Sequence, residues 1–263
     1  MDNRIAIGIS LSGGGARGIV HIGVLKALEE SDIHPNVIAG TSAGAIIGAL
    51  YAAGRSPEEM LDFVKDSNIL KIFKIALPNK GVASLDYLGE RLMAYIPDDR
   101  FESLEKKLFI AVTNLMSGKL ELISKGELHR VVMASCAIPL VFRPIEMNDS
   151  LYVDGGTLEN MPVKPLQRRS DMIIGVNVMP VVPVEGKAVD SMIGIAIRCF
   201  EMAIWANSKP NLKRCDVLIE PIKVREFGIF QFNKYKELYE IGYKTTRLQI
   251  PEIKAKLQAA RSS

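Results

Sequence analysis

Residues 40–44 read Gly40-Thr41-Ser42-Ala43-Gly44. This is the G-x-S-x-G spacing that presents a serine hydroxyl on a tight strand-to-helix turn. A serine so placed is a candidate nucleophile for acyl transfer, and its hydroxyl needs a base to take the proton. The usual base is histidine, in the order serine, acid, histidine on α/β-hydrolases. Here His21, His34 and His129 all lie in the first half of the chain. That order cannot be written, and all three are read as structural residues. The remaining candidate is Asp154 in "LYVDGGTLENMP", delivered by a strand pattern and followed by Gly155-Gly156, which permit a sharp turn. A carboxylate is a weak base at its ordinary pKa of ~3.9, so a desolvated site would have to raise it. The plain alternative is an Asp-Gly-Gly turn with no chemistry.

A second constellation lies one strand earlier, in "SLSGGGARG". Gly13-x-Gly15-x-x-Gly18 after a strand and before a helix suits a dinucleotide-binding turn. That reading expects an acid at the end of the second strand to hold a ribose hydroxyl. The second strand instead runs into Gly40-Thr41-Ser42. The other reading is an oxyanion hole: successive glycines before a helix can point their backbone amides into one concavity, reinforced by the positive helix end. Losing one such donor costs about 3 kcal/mol of barrier. Three consecutive glycines exceed what a packing turn needs.

The elements that must position these groups alternate between strand and helix. Ile5 to Leu11 is a continuous apolar run, "IVHIGVLKALEE" a helix stopped by Pro35, Val37 to Ala39 a short strand, and Ala43 to Ala53 a helix closed by Gly54. Ser56-Pro57-Glu58-Glu59 opens another helix. "KLFIAVTNLMSGKLELIS" reads as two strands around a Ser-Gly turn, and "GELHRVVMASCAI" as helical up to Pro139. "DSLYVDGG", "DMIIGVNVM" and "CDVLIEP" are strands, "SMIGIAIRCFEMAIWA" a long apolar helix, and the tail from "NKYKELYE" a helix interrupted at Pro251. The pattern predicts an α/β fold in which a mostly parallel sheet is flanked by helices on both faces. Residues 1–263 form one domain in this reading, with a motif-bearing core over 5–178 and a helical part over 188–263.

Composition excludes several classes. The 263 residues are 48% hydrophobic and 24% charged, with a net charge of +3, and no basic run with interleaved aromatics argues for nucleic acid. Cys136, Cys199 and Cys215 form no disulfide framework, which favours a reducing, cytoplasmic setting. The first residues lack the apolar core of a signal peptide. No metal-ligand spacing is visible, and no cofactor or metal is expected. "NILKIFKIALPNKG", residues 68–81, mixes Ile, Leu and Phe with three lysines. It is read either as a lid or interfacial helix touching a membrane surface peripherally, or as an ordinary amphipathic helix. "EFGIFQF", around Phe227 to Phe232, is a weaker second candidate.

Taken together, Gly13-Gly14-Gly15-Ala16-Arg17-Gly18, Gly40-Thr41-Ser42-Ala43-Gly44 and Asp154-Gly155-Gly156 resemble the motifs of the patatin-like phospholipases. "ASCAIPLVFRP", Ala134 to Pro144, is similar to a further family segment. The resemblance implies a three-layer α/β fold and a Ser–Asp dyad without histidine, with Ser42 as nucleophile and Asp154 as base. It implies an oxyanion hole formed by the backbone amides of Gly13, Gly14, Gly15 and Ala16 and, for Arg17, either a structural role or contact with substrate phosphate. Gly18, Gly40, Gly44, Gly155 and Gly156 support the motifs. The implied activity is hydrolysis of fatty acyl esters of lipids. The rival readings are a non-enzymatic adaptor that keeps the fold and a nucleotide-binding protein.

Overall fold

The computed structural model describes residues 5–65, 84–139 and 141–261, so the stretch 68–81 lies outside the described residues. Eight strands form one sheet: β1 (Ile7–Leu11), β2 (Val37–Gly40), β3 (Lys107–Asn114), β4 (Lys119–Ile123), β5 (Ile145–Met147), β6 (Ser150–Asp154), β7 (Met172–Val176) and β8 (Val217–Ile219). The helices are α1 (Val20–Glu29), α2 (Ala43–Ala52), α3 (Pro57–Lys65), α4 (Asp86–Tyr95), α5 (Leu128–Ser135), α6 (Met192–Leu212) and α7 (Tyr235–Arg261). A 3-10 turn, Gly15–Ile19, leads into α1.

The centre of the sheet is parallel, in the order β3-β2-β1-β7-β8, and β4, β5 and β6 add antiparallel pairings around β3. Strand β1 is buried at every position, as expected of a parallel strand covered on both faces. Side chains alternate between the faces. Ile9, Ile38 and Ile174 enter the larger core with α1, α2 and α7, whereas Ala39, Phe109 and Ile173 meet Met161, Val163 and Leu166 on the other face.

Strand β3 explains how two distant motifs meet. Gly40 of β2 is in register with Ile110, and β4 occupies the opposite edge of β3 from Ile110 to Asn114. Asp154 of β6 pairs antiparallel with Val112, so β6 must use the same edge as β2. The two strands therefore approach head-on along one edge of β3, and their C-terminal ends face each other across a gap of one β3 residue, Ala111. Ser42 follows one end and Asp154 closes the other.

One expectation is corrected. The C-terminal helix does not break at Pro251; α7 runs unbroken from Tyr235 to Arg261. A proline inside a helix costs about 3 kcal/mol through its missing N–H and its clash with the preceding turn. Pro251 sits on the exposed side, while Ile250 and Ile253 on either side of it stay buried in the core, and that burial offsets the cost.

Candidate active site

Ser42 sits between β2 and α2 with φ 54° and ψ −122°, a conformation that costs a non-glycine residue about 1–3 kcal/mol. Two contacts hold it there. Its N–H donates to Ser135 Oγ at 2.8 Å, and Ser135 Oγ donates onward to the Ala111 carbonyl at 2.8 Å. Gly44 lets the first turn of α2 lie against the end of β1, where a Cβ would stand 2.1 Å from the Leu11 carbonyl oxygen. Gly40 faces the Gly44 carbonyl from the strand side. The Ser42 hydroxyl is thereby presented at a fixed point.

Asp154 reaches that point from β6. Its N–H donates to the Ala137 carbonyl at 3.0 Å, and its own carbonyl accepts from Thr113 Oγ1 at 3.1 Å. Its Oδ1 accepts the Gly156 N–H at 2.7 Å, and Gly155 packs directly on the Ala111 carbonyl. The carboxyl is 3% exposed. Burial pushes its pKa up to about 7, against the opposing effects of the Ser42 hydroxyl, within hydrogen-bonding reach, and of the Gly156 amide. A carboxylate of that pKa is a competent general base near neutrality. Cys136 lies beside both groups, and burial, aided by the Asp154 charge, keeps its thiol protonated.

The glycine loop narrows the expected set of amide donors. The Gly13 N–H is bonded to the Asn160 carbonyl at 3.2 Å and the Ala16 N–H to the Ile229 carbonyl at 2.8 Å, so neither is open to an oxyanion. Among the described residues, the amides of Gly14 and Gly15 have no such acceptor. Gly15 adopts φ +58°, and a Cβ there would stand 2.3 Å from the Ile229 oxygen. Glycine is required on both counts. Gly18 packs on Ala43. Arg17 points away from Ser42: its Nε donates to the Phe227 carbonyl at 2.8 Å and its Nη1 pairs with Glu201 at 3.3 Å. Glu201 also takes both Nη groups of Arg225 at 3.0 Å. Burial, then the Arg225 charge, lowers the Arg17 pKa to about 10. Arg17 lines neither cavity of the site, so in this geometry it ties the glycine loop to α6 and to residues 225–227.

Two cavities share Ser42 and Gly15. The larger holds about 670 Å³ including its open mouth and is walled by apolar groups such as Ile46, Ile47, Phe63, Leu88 and Phe232. The smaller, about 290 Å³, includes Gly14, Asp154, Asn160, Phe200 and Ile204. Sequence reasoning missed four contributors. Ser135 lies within the quoted "ASCAIP" segment but carried no role there. Asn160 bonds Gly13 through its carbonyl and its amide group. Asn207 of α6 accepts the Asn160 N–H and donates to the Gly156 carbonyl. Ile229 lines the smaller cavity and supplies the backbone carbonyl that engages Ala16, a contact that leaves no mark in a sequence.

The histidines lie apart from this chemistry. His21 is fully buried, donates its Nε2–H to the Ser12 carbonyl at 2.8 Å, and has its pKa lowered to about 4 by burial. His129 Nε2 donates to the Ile96 carbonyl at 2.9 Å. Among the described residues, no group of three His, Cys, Asp or Glu side chains is placed to hold a metal ion.

Comparisons with known proteins agree with this architecture. The human GIVD cytosolic phospholipase A2 structure superposes with a TM-score of 0.58 at 10% identity, covering 99% of this chain and 61% of that one. VipD from Legionella pneumophila gives 0.54 at 16% identity, covering 90% and 67%. Among curated sequences, lysophospholipase nte1 of Aspergillus fumigatus is 26% identical over 280 residues, 95% of this chain but 18% of the relative. An NTE family protein of Mycobacterium bovis is 31% identical over 174 residues, 65% of this chain and 48% of the relative. The chain thus spans less than half the length of these curated relatives. The family model for patatin-like phospholipase matches residues 9–166, a span that includes the glycine loop, the Ser42 elbow and Asp154, and the chain belongs to the patatin-like phospholipase family.

Proposed function

We propose that the chain is a serine hydrolase of fatty acyl esters in lipids, of phospholipase A or lysophospholipase type, working through Ser42 and Asp154. The observation that carries this reading is a buried carboxyl raised to about 7 within reach of a serine on a strained elbow, beside two open glycine amides. In the first step Asp154 takes the Ser42 proton while Oγ attacks the ester carbonyl. The oxygen of the tetrahedral intermediate takes up negative charge, for which the Gly14 and Gly15 amides supply preorganised donors. Collapse expels the alcohol, which takes the proton from Asp154, and leaves an acyl-serine. Water, deprotonated by Asp154, then releases the fatty acid and restores the serine.

The apolar wall of the larger cavity, with Ile46, Ile47, Phe63, Leu88 and Phe232, suits an acyl chain. The smaller, Asp154-bearing cavity is left for the departing alcohol or the incoming water. Among the described residues, no helix is long and apolar enough to cross a membrane. The test is fatty acid release from lysophosphatidylcholine and from phosphatidylcholine by wild type, Ser42→Ala and Asp154→Asn. Release by the wild type, lost in both folded variants, supports the reading. Release that persists in Ser42→Ala refutes it.

A further inference from the structure

Helix α6 carries an apolar stripe on its outer face that the catalytic groups leave unused. Met192, Ile195, Cys199 and Met202 recur at intervals of three and four residues, which stacks them along one side of the helix. All four are exposed, Met192 by 87%, Ile195 by 50% and Met202 by 52%. Three polar residues of the same helix turn inward instead. Glu201 pairs with Arg17 and Arg225, Asn207 bonds Asn160 and Gly156, and Asn211 bonds Glu159 and the Met161 carbonyl. An ordinary surface helix keeps its apolar stripe on the core; α6 buries Ile204 beside these polar groups and leaves a second apolar stripe outside.

Charge and position indicate what covers this face. Among the described side chains exposed on α6 there is no acid, and Lys209 is the lone charge. Its ammonium stands 4.9 Å from the ring of Trp205, the single tryptophan of the chain, and tryptophan is enriched where rings sit at headgroup depth. The stripe lies beside the site. Exposed Ala196 and Ala203 are the i−4 and i+3 surface neighbours of Phe200, and Phe200 lines the smaller cavity with Ser42 and Asp154.

We propose that α6 docks the protein on a lipid surface. The stripe from Met192 to Met202 seats in the boundary between headgroups and acyl chains, and Lys209 faces anionic headgroups. The face places the smaller cavity at the source of a lipid substrate, and the choice of a lipid occupant rests on the lipid-hydrolase reading above.

The experiment is flotation with phosphatidylcholine vesicles, with and without phosphatidylglycerol, beside hydrolysis of soluble p-nitrophenyl butyrate. Wild type and Ser42→Ala float equally. The triple variant Met192→Glu, Ile195→Glu, Met202→Glu loses about ten-fold or more in binding and keeps its soluble ester activity, because all three positions are exposed and outside both cavities. Lys209→Gln loses about five-fold on anionic vesicles only. A triple variant that floats like the wild type overturns the proposal, as does a wild type that does not float. So does a wild-type dimer that the triple variant makes monomeric without changing flotation, which would mark the face as a contact between copies of the chain. Flotation retained without any ester hydrolysis removes the hydrolase reading alone. Hydrolysis retained without flotation removes the docking surface alone.

Discussion

Replacing Asp154 by Asn isolates the cost of an ionisable group in the site. The carboxyl is 3% exposed, and burial raises its pKa from 3.8 to about 7. The folded state therefore holds a proton more tightly than the unfolded chain, so stability is greatest below the unfolded pKa and falls as pH rises toward the folded one. A shift of about three units at about 1.4 kcal/mol per unit amounts to about 4 kcal/mol once the group is ionised in both states, above about pH 7. At pH 5 the unfolded carboxyl is already ionised while the folded one is not, and only about 1–2 kcal/mol of that loss has been felt. Asparagine has the same shape and cannot ionise. The stability of Asp154→Asn relative to wild type should thus grow by about 3 kcal/mol between pH 5 and pH 8, a divergence in Tm of about 6–12 °C at this size. Urea unfolding of both proteins at constant ionic strength reads this directly. Taking the difference between two pH values cancels any fixed effect of the amide on packing. A stability difference that is constant with pH, or that shrinks as pH rises, refutes the claim that burial holds this carboxyl near neutrality.

If Asp154 is the base, as proposed, kcat/KM for a neutral ester should rise through an apparent pKa of about 7 and stay flat above it, and a rate independent of pH between 5 and 8 would contradict that role. Ser135→Ala leaves the Ser42 N–H without its acceptor; we expect a loss of about 1–3 kcal/mol in stability and a fall in kcat larger than any change in KM, read by urea unfolding and steady-state kinetics. Gly44→Ala drives a methyl into the Leu11 carbonyl, and soluble expression with an unchanged Tm would show that the close approach is unnecessary. Ile47→Trp fills the larger cavity, so activity on long-chain p-nitrophenyl esters should fall while butyrate hydrolysis is kept; equal loss on both would argue against an acyl chain there.

The parts of the site legible in the sequence are those written in contiguous residues. Small residues around Ser42 signalled a close strand–helix turn, and the structure shows Gly44 against Leu11 and Gly40 against Gly44. The apolar runs of β1, β2 and β7 marked buried parallel strands. The head-on approach of β2 and β6 was not legible, because it depends on the register of both along β3, and nothing local to Gly40 or Asp154 encodes Ile110 or Val112 as partners. The glycine loop was readable as a set of amides but not amide by amide. The Asn160 and Ile229 carbonyls that engage Gly13 and Ala16 come from positions more than 140 residues away. Pro251 misled for a similar reason: its local rule is sound, and the burial of Ile250 and Ile253 overrides it. The outward stripe of α6 is visible as an apolar helix in the sequence, but which side is buried follows from the partners of Glu201, Asn207 and Asn211.

The most direct test of the central claim is covalent trapping by an alkyl fluorophosphonate, with the modified peptide identified by mass spectrometry. A single adduct on Ser42, formed at a rate that rises with pH through about 7 and much reduced in Asp154→Asn, is the predicted result. An adduct on any other residue, or labelling of Ser42 that is indifferent to the loss of Asp154, would contradict the dyad.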